Sequence, residues 1–361
     1  MFKRIDWILL LSLMALLVMG FAVLYSAAYR MEFSDVTKNY FTKQVIWVCL
    51  GLIAVLLLSF VNYKSIGNIS VILYLLNVLL LLYVLFLGTK IGGARRWISF
   101  GIVSIQPSEF MKLTLILCLA WFLSMARGRE NSLWTLVVSL LITGVPLLLI
   151  LKEPDLGTAL VLIPVMLTLL FIYGLRLKYF IALILTGLLS SPLVWLILKP
   201  YQKSRILVFL NPSHYQYGAG WAVIQSKIAI GSGQIFGKGW LEGTQSQLNF
   251  LPERHTDFIF AVLAEEAGFV GCVLLLVLYF IILFRGIKIS QMARDDYGKL
   301  VACGIVAMIG FHIFVNIGMT LGLLPATGLP LPFMSYGGSF LLTMVLSVGM
   351  LMNIYAYNSH Y

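Results

Sequence analysis

The sequence predicts an all-α polytopic membrane protein, and three observations lead there. Of the 361 residues, 61% are hydrophobic and only 11% charged, more apolar surface than a water-soluble domain can use. The apolar residues fall into runs of roughly 20, the length a helix needs to cross a bilayer. Those runs are continuously apolar rather than alternating, which favours helices over a barrel. Ten can be counted, near 7–28, 42–61, 68–88, 107–125, 133–151, 155–174, 179–198, 258–284, 299–323 and 335–356. The whole chain, 1–361, reads as one membrane domain, with a long loop, 199–257, between helices 7 and 8.

Lys3 and Arg4 precede helix 1, whose apolar stretch is too long for a signal peptide. An excess of Lys and Arg in the alternate connections that share their side expects both termini in the cytoplasm. Arg30, Lys38, Lys43, Lys90, Arg95, Arg96 and Lys152 fall on the outer side and need another reason, such as a bound anion. The net charge of +11 fits topology and anionic membrane lipid. No nucleic-acid module accompanies it. Cys49, Cys118, Cys272 and Cys303 all lie inside spans, so they read as small packing residues rather than a disulfide framework.

Between helices 3 and 4 runs Lys90-Ile91-Gly92-Gly93-Ala94-Arg95-Arg96-Trp97-Ile98. Paired arginines beside a tryptophan suit a lipid diphosphate, because guanidinium grips phosphate oxygens with a planar fork. They equally suit an aromatic belt touching ordinary headgroups. Helix 4 opens Gln106-Pro107-Ser108-Glu109, with proline at an early helical position. Glu109 and Lys112 are three residues apart and share a face; a charged pair inside a span lines a polar cavity or braces a helix end. Asp155, at the start of helix 6, either caps free N–H groups or lines that cavity.

The loop 199–257 is too long for a plain connection and too rich in Tyr and Trp for disorder. Apolar spacing over 219–230 predicts a short interfacial helix. The glycines that follow (231, 233, 237 and 239) match no nucleotide-binding fingerprint and read as a flexible turn. The loop ends in Leu251-Pro252-Glu253-Arg254-His255-Thr256-Asp257-Phe258, where polar sequence meets the next span. Asp257 there is either a reactive carboxylate or the N-cap of helix 8. No further His or Cys stands at ligand spacing, which argues against zinc; His214, His312 and His360 are scattered and read as structural. After helix 9, Pro325, Pro330 and Pro332 forbid regular helix. Such backbone at membrane depth must be buried in protein or line a cavity.

Seven motifs in order make the chain similar to a known family. They are Gly93-Ala94-Arg95-Arg96-Trp97-Ile98, Gln106-Pro107-Ser108-Glu109, Pro154-Asp155-Leu156-Gly157-Thr158, Gln225-Ser226-Lys227 through Gly233, Gly243-Thr244-Gln245-Ser246-Gln247, Leu251-Pro252-Glu253-Arg254-His255-Thr256-Asp257, and Pro330-Leu331-Pro332 with Ser335-Tyr336-Gly337-Gly338-Ser339. Together they resemble the SEDS family (shape, elongation, division and sporulation), closest to its elongation branch, over nearly the whole chain. The resemblance implies ten transmembrane helices in the bacterial inner membrane and a peptidoglycan glycosyltransferase acting on lipid II at the extracytoplasmic face. It implies a class B penicillin-binding protein as transpeptidase partner. It places the family's essential aspartate on Asp257, its loop tryptophan on Trp97 and its charged cavity residues on Glu109, Lys112 and Asp155.

The chemistry agrees with those residue types. A sugar hydroxyl is a weak nucleophile, and a positioned base, Asp257, would activate it. The departing lipid diphosphate needs positive charge rather than a paired acid. Arg95, Arg96, Lys112, Lys203, Arg205, Lys227 and Arg254 are available for it, and a divalent cation, Mg2+ or Mn2+, would serve the same end. Ser108, Gln245, Glu253, His255 and Ser335 complete the substrate-binding candidates. A transporter of a lipid-linked precursor is the competing class; it expects internal repeats and a midplane site, and neither is visible. A non-catalytic scaffold would leave the outer charges without purpose.

Overall fold

The computed structural model describes residues 5–29, 36–91, 94–100, 103–128, 132–211, 215, 218 and 220–358. Lys3, Arg4, Arg30, Gly92, Gly93, Ala219, His214 and His360 lie outside them. In order the elements are α1 (Trp7–Tyr29), α2 (Val36–Leu58), α3 (Tyr63–Leu87), β1 (Thr89–Ile91), β2 (Ala94–Phe100), β3 (Val103–Ile105), α4 (Pro107–Met125), α5 (Leu133–Lys152), α6 (Leu156–Tyr173) and α7 (Leu177–Ile197). Then come α8 (Pro200–Leu210), α9 (Trp221–Ser232), α10 (Thr244–Gln247), α11 (Ile259–Met292), α12 (Asp296–Thr320) and α13 (Gly338–Asn358). Among the described residues, nine helices are long and apolar enough to cross a membrane: α1 to α6 and α11 to α13. The seventh expected span is α7, whose described apolar stretch covers Leu177–Ser190.

The core sits where α12 packs on α3, α4, α6, α11 and α13, around buried Ile116, Leu169, Val301, Ile305, Met308 and Leu351. Exposed leucine, isoleucine and valine instead crowd α2, α3, α5 and α7, the faces left for lipid. Side-chain oxygens cap several starts: Asn62 accepts from Lys64 N, Ser132 from Trp134 N and Asp295 from Gly298 N. Each satisfies a backbone donor that the helix leaves free.

Two findings go beyond the sequence reading. The stretch between α3 and α4, read there only as a connection, is a three-stranded antiparallel sheet in the order β1-β2-β3, with Lys90 opposite Arg95 and Ser99 opposite Ser104. Hydropathy misses it because short strands alternate and carry charge, although the dipeptide Gly92-Gly93 is a hairpin signal in sequence. The second concerns the glycines after α9. They are not a flexible turn. Helix α11 is broken at Gly268 (φ 64°, ψ −160°), and the 233–239 backbone is laid against the break. Lys238 N donates to Glu265 O at 3.0 Å, Gly239 N to Glu266 O at 3.1 Å, Phe269 N to Gln234 O at 2.9 Å and Val270 N to Ile235 O at 3.1 Å. A Cβ on Gly233 would run into the Ala264 carbonyl oxygen, and one on Gly237 into the Glu266 carbonyl oxygen. These glycines exist for close backbone approach.

The rest of the long loop hangs on one carboxylate. Glu265, fully buried, accepts from Lys238 Nζ at 2.9 Å, Thr244 Oγ1 at 3.2 Å, Gln245 N at 2.8 Å and Ser246 N at 3.1 Å. The expected interfacial helix is α9, which buries Val223, Gln225, Ser226 and Ala229 against the bundle.

A contrast among the glycines tests this packing. Gly231→Ala meets open space and should leave the thermal unfolding midpoint in detergent within error. Gly233→Ala and Gly237→Ala should each destabilise by roughly 2 kcal/mol or more, because backbone must move. Equal behaviour of all three would return the segment to a simple turn.

Candidate active site

The Asp257 turn is built from backbone. Thr256 N and Asp257 N both donate to Glu253 O at 3.1 Å, which tightens 253–258 just before α11. The N-cap of α11 is Phe258, and among the described residues no side-chain hydrogen bond caps the helix. Asp257 is therefore not spent on capping, one of its two sequence-based readings. Among the described residues its carboxylate takes no hydrogen bond.

The turn is docked on the proline-rich segment 321–337. Ser335 Oγ donates to Thr256 O at 2.6 Å and accepts from Leu331 N at 2.8 Å. Tyr336 N donates to His255 O at 2.9 Å. As the prolines require, the segment is buried in protein: Leu329, Leu331, Phe333 and Met334 are nearly inaccessible. Tyr279 Oη holds Pro332 O at 2.6 Å.

Opposite Asp257 stands Arg205, from α8. Its Nη1 donates to Thr327 O at 2.8 Å. Between the two lies Gly328, at φ +76°. A Cβ there would sit 3.3 Å from Asp257 Oδ2 and 3.7 Å and 3.8 Å from the Arg205 Nη atoms. Glycine thus keeps a gap open between a carboxylate and a guanidinium.

The electrostatics of Asp257 follow. Burial is the largest cause pushing its carboxyl up, to about 6; Glu253 and Asp155 add to the rise and Arg205 opposes it. Glu153, buried beside Arg96 and Asp155, is pushed up to about 8, chiefly by burial. His255 is pushed below the ordinary histidine range, first by burial, so its 4.0 Å approach to Glu253 is weak at neutral pH.

Asp155 does cap α6, accepting from Thr158 N at 3.2 Å and Thr158 Oγ1 at 3.0 Å. It also accepts from Gln106 Nε2 at 3.1 Å, which in turn donates to Ser108 Oγ at 2.9 Å. Its charge reaches both Asp257 and Glu109, so its two readings are not exclusive. Glu109 and Lys112 pair at 2.6 Å, both buried. Lys112 Nζ is also 3.1 Å from His312 Nε2. An ammonium only donates, so Nε2 accepts and His312 Nδ1–H donates to Pro330 O at 3.2 Å.

Several sequence candidates lie away from the gap. Arg254 is 2% exposed; its Nε donates to Ala27 O at 2.7 Å and its Nη1 to Ser246 O. Through these two carbonyls it ties the loop to α1, and its Nη2 has no partner among the described residues. Gln245 serves the Glu265 nest, and the Lys227 chain lies against Gly322, beyond the end of α12. Arg95 is exposed and donates to Phe86 O at 2.9 Å. Arg96 holds the carbonyls of Glu153 and Pro154, bracing the turn that presents Asp155. Trp97, half-buried on β2, pairs with Thr89. Glu253 is exposed at the lip, while Ser108 and Ser335 are fully buried.

Sequence reasoning missed His312 as a partner of Lys112, and passed over Asn316, Gly328 and Glu153. The signal for the first two was their i, i+4 spacing on an apolar span, where polar side chains face protein rather than lipid. Among the described residues no three His, Cys, Asp or Glu converge in metal-ligand fashion.

Comparison with known proteins agrees with this architecture. A family model described as "Cell cycle protein", FTSW_RODA_SPOVE, matches residues 6–360. The peptidoglycan glycosyltransferase MrdB of Escherichia coli (strain K12) is 38% identical over 98% of this chain and 94% of its own length. Stage V sporulation protein E of Bacillus subtilis (strain 168) is 40% identical over 98% of each. A chain from a structure described as "Structural coordination of polymerization and crosslinking by a peptidoglycan synthase complex" superposes with TM-score 0.84 at 33% identity, covering 99% of both chains. The rod shape determining protein RodA of Thermus thermophilus gives TM-score 0.74 at 31% identity, over 99% of this chain and 98% of that one. With its fold and residues 6–360 matched, the chain belongs to the FtsW/RodA/SpoVE family, the SEDS proteins.

Proposed function

We propose that this protein, integral to the bacterial inner membrane, is a peptidoglycan glycosyltransferase that polymerises lipid II into glycan strands during cell-wall elongation. The names of its relatives support the activity. The observation that carries the chemistry is the Asp257 carboxylate, free of hydrogen bonds among the described residues and facing Arg205 across the Gly328 gap. Asp257 takes the proton of the acceptor sugar hydroxyl as that oxygen attacks the donor's anomeric carbon. The bond from that carbon to the diphosphate oxygen breaks, and undecaprenyl diphosphate leaves with the electron pair. One displacement inverts the anomeric centre. Arg205 meets the charge that develops on the diphosphate.

The active face is extracytoplasmic and both termini are cytoplasmic in this reading. In support, Ile5 and Leu10 of the N-terminal region line one cavity with Met352 and Tyr357 near the C-terminus. Lys64, Arg127 and Arg285 pair with Asp295, Asp296 and Asp6 at that same end, the basic side expected to stay inside. A class B penicillin-binding protein is the transpeptidase partner, and membrane lipids surround the exposed apolar faces.

Lipid II polymerisation in detergent, with the cognate transpeptidase added, tests the base. Asp257→Asn should insert and fold normally while losing about 10²–10⁴-fold in rate; polymer at the wild-type rate would reject it.

The pH profile makes a second test. A base must be ionised, so activity should fall as pH drops through about 6, whereas an unshifted aspartate would keep it to roughly pH 4. Arg205 holds that value down and Glu253 holds it up. Arg205→Gln should therefore move the acid limb to higher pH and Glu253→Gln to lower pH. Movement of both limbs in one direction would contradict the assignment.

A further inference from the structure

Ser335 and Tyr336 hold the residues just before Asp257, while the carbonyl of Asp257 itself is held by a side-chain amide that lies elsewhere in the chain. Asn316, on α12, is fully buried. Its Nδ2 donates to Asp257 O at 2.9 Å and to Leu329 O at 2.7 Å. An amide nitrogen has two hydrogens, and both are used. One holds the residue that carries the carboxylate; the other holds the residue after Gly328. The two walls of the gap are joined through one atom.

Two further observations show that these bonds are not incidental. Asp257 lies one residue before the N-cap, Phe258, so its carbonyl stands outside the helical ladder, and Ala261 N donates to Phe258 O at 3.0 Å. The Asn316 amide supplies the donor that the helix does not. Meanwhile Asn316 Oδ1 is buried with no partner among the described residues. A buried acceptor without a partner is unfavourable and calls for an explanation. Asparagine serves here through its paired donors, at the expense of its acceptor.

Resting on the reading of Asp257 as the base, we propose that Asn316 is a positioning residue that sets the distance between the Asp257 turn and the Gly328 backbone. It touches no substrate. His312, one turn earlier, is engaged with Pro330 O and Lys112 and cannot take its place. The groups acting on Asp257 from the surrounding elements are Glu253 on its own turn, Arg205 on α8 and Asp155 at the start of α6; a loosened turn would expose the carboxyl to water and weaken all three influences together.

The experiment uses the full-length protein in proteoliposomes with its transpeptidase, lipid II as probe, and the variants Asn316→Ala and Asn316→Ser. Expected for Asn316→Ala is a fall in kcat of about tenfold or more, the scale of a sub-ångström to 1 Å misplacement, with KM within about twofold. Its acid limb should move below the wild-type position. Asn316→Ser keeps one donor and should recover part of kcat; it also supplies the readout should the alanine variant not fold. Adding Asn316→Ala to Asp257→Asn should cost nothing further, since there is no base left to position. A wild-type kcat and acid limb per folded molecule in either single variant, even with a lowered unfolding midpoint, would overturn the proposal. Asp257→Asn measured alongside separates the two readings: if it too retains activity, the base assignment has failed, and if it alone is inactive, only the role of Asn316 has.

Discussion

Non-helical backbone inside a membrane protein must find every hydrogen-bond partner within the protein, because lipid offers none. The segment 321–337 is such backbone, and satisfying it dictates much of what surrounds it. Asn316, His312 and Tyr279 reach its carbonyls from two helices, Arg205 reaches another from the loop, and Ser335 bonds back to the segment itself. Two of those side chains, Asn316 and Ser335, hold the 256–257 backbone as well. The bonds that make a broken chain tolerable at depth are therefore the bonds that deliver a carboxylate to the end of the bundle.

The electrostatic design works by degrees of exposure. Lys112 and Glu109 are sealed together under Phe340, and breaking a buried pair of this kind costs about 3–5 kcal/mol. Asp155 is within electrostatic reach of both that sealed pair and Asp257. Arg205 and Asp257 stay partly accessible. A carboxyl held up near 6 by burial remains ionised at neutral pH, yet is more basic than an aspartate in water. That combination suits a group that must accept a proton and then release it.

The long loop is ordered by the helix it precedes. At Gly268 the α11 ladder opens, and the 233–239 backbone takes up the freed groups while Glu265 gathers the 243–247 turn. Arg254 and Gln247 then carry the tie across to α1 through the Ala27 and Ser26 carbonyls. Arg254, three residues before Asp257 in sequence, thus acts as a strut between the loop and α1. The turn inherits its rigidity from the membrane helices on both sides.

The spans were legible in the sequence because transfer into hydrocarbon is a local property, summed residue by residue over a window. Pro107, Asp155 and the Glu109–Lys112 pair were legible for a similar reason, since their contacts fall within one helical turn. The motifs singled out Asp257, and the prolines announced a buried irregular segment. Composition could not reveal which polar groups meet. Asn316 and Asp257 are 59 residues apart, Lys112 and His312 are 200, and Arg254 and Ala27 are 227. Nor could it separate a glycine that lets two backbones touch, such as Gly237, from one facing open space, such as Gly231. A hydrogen bond depends on position to within tenths of an ångström, and that precision belongs to the packed tertiary structure alone.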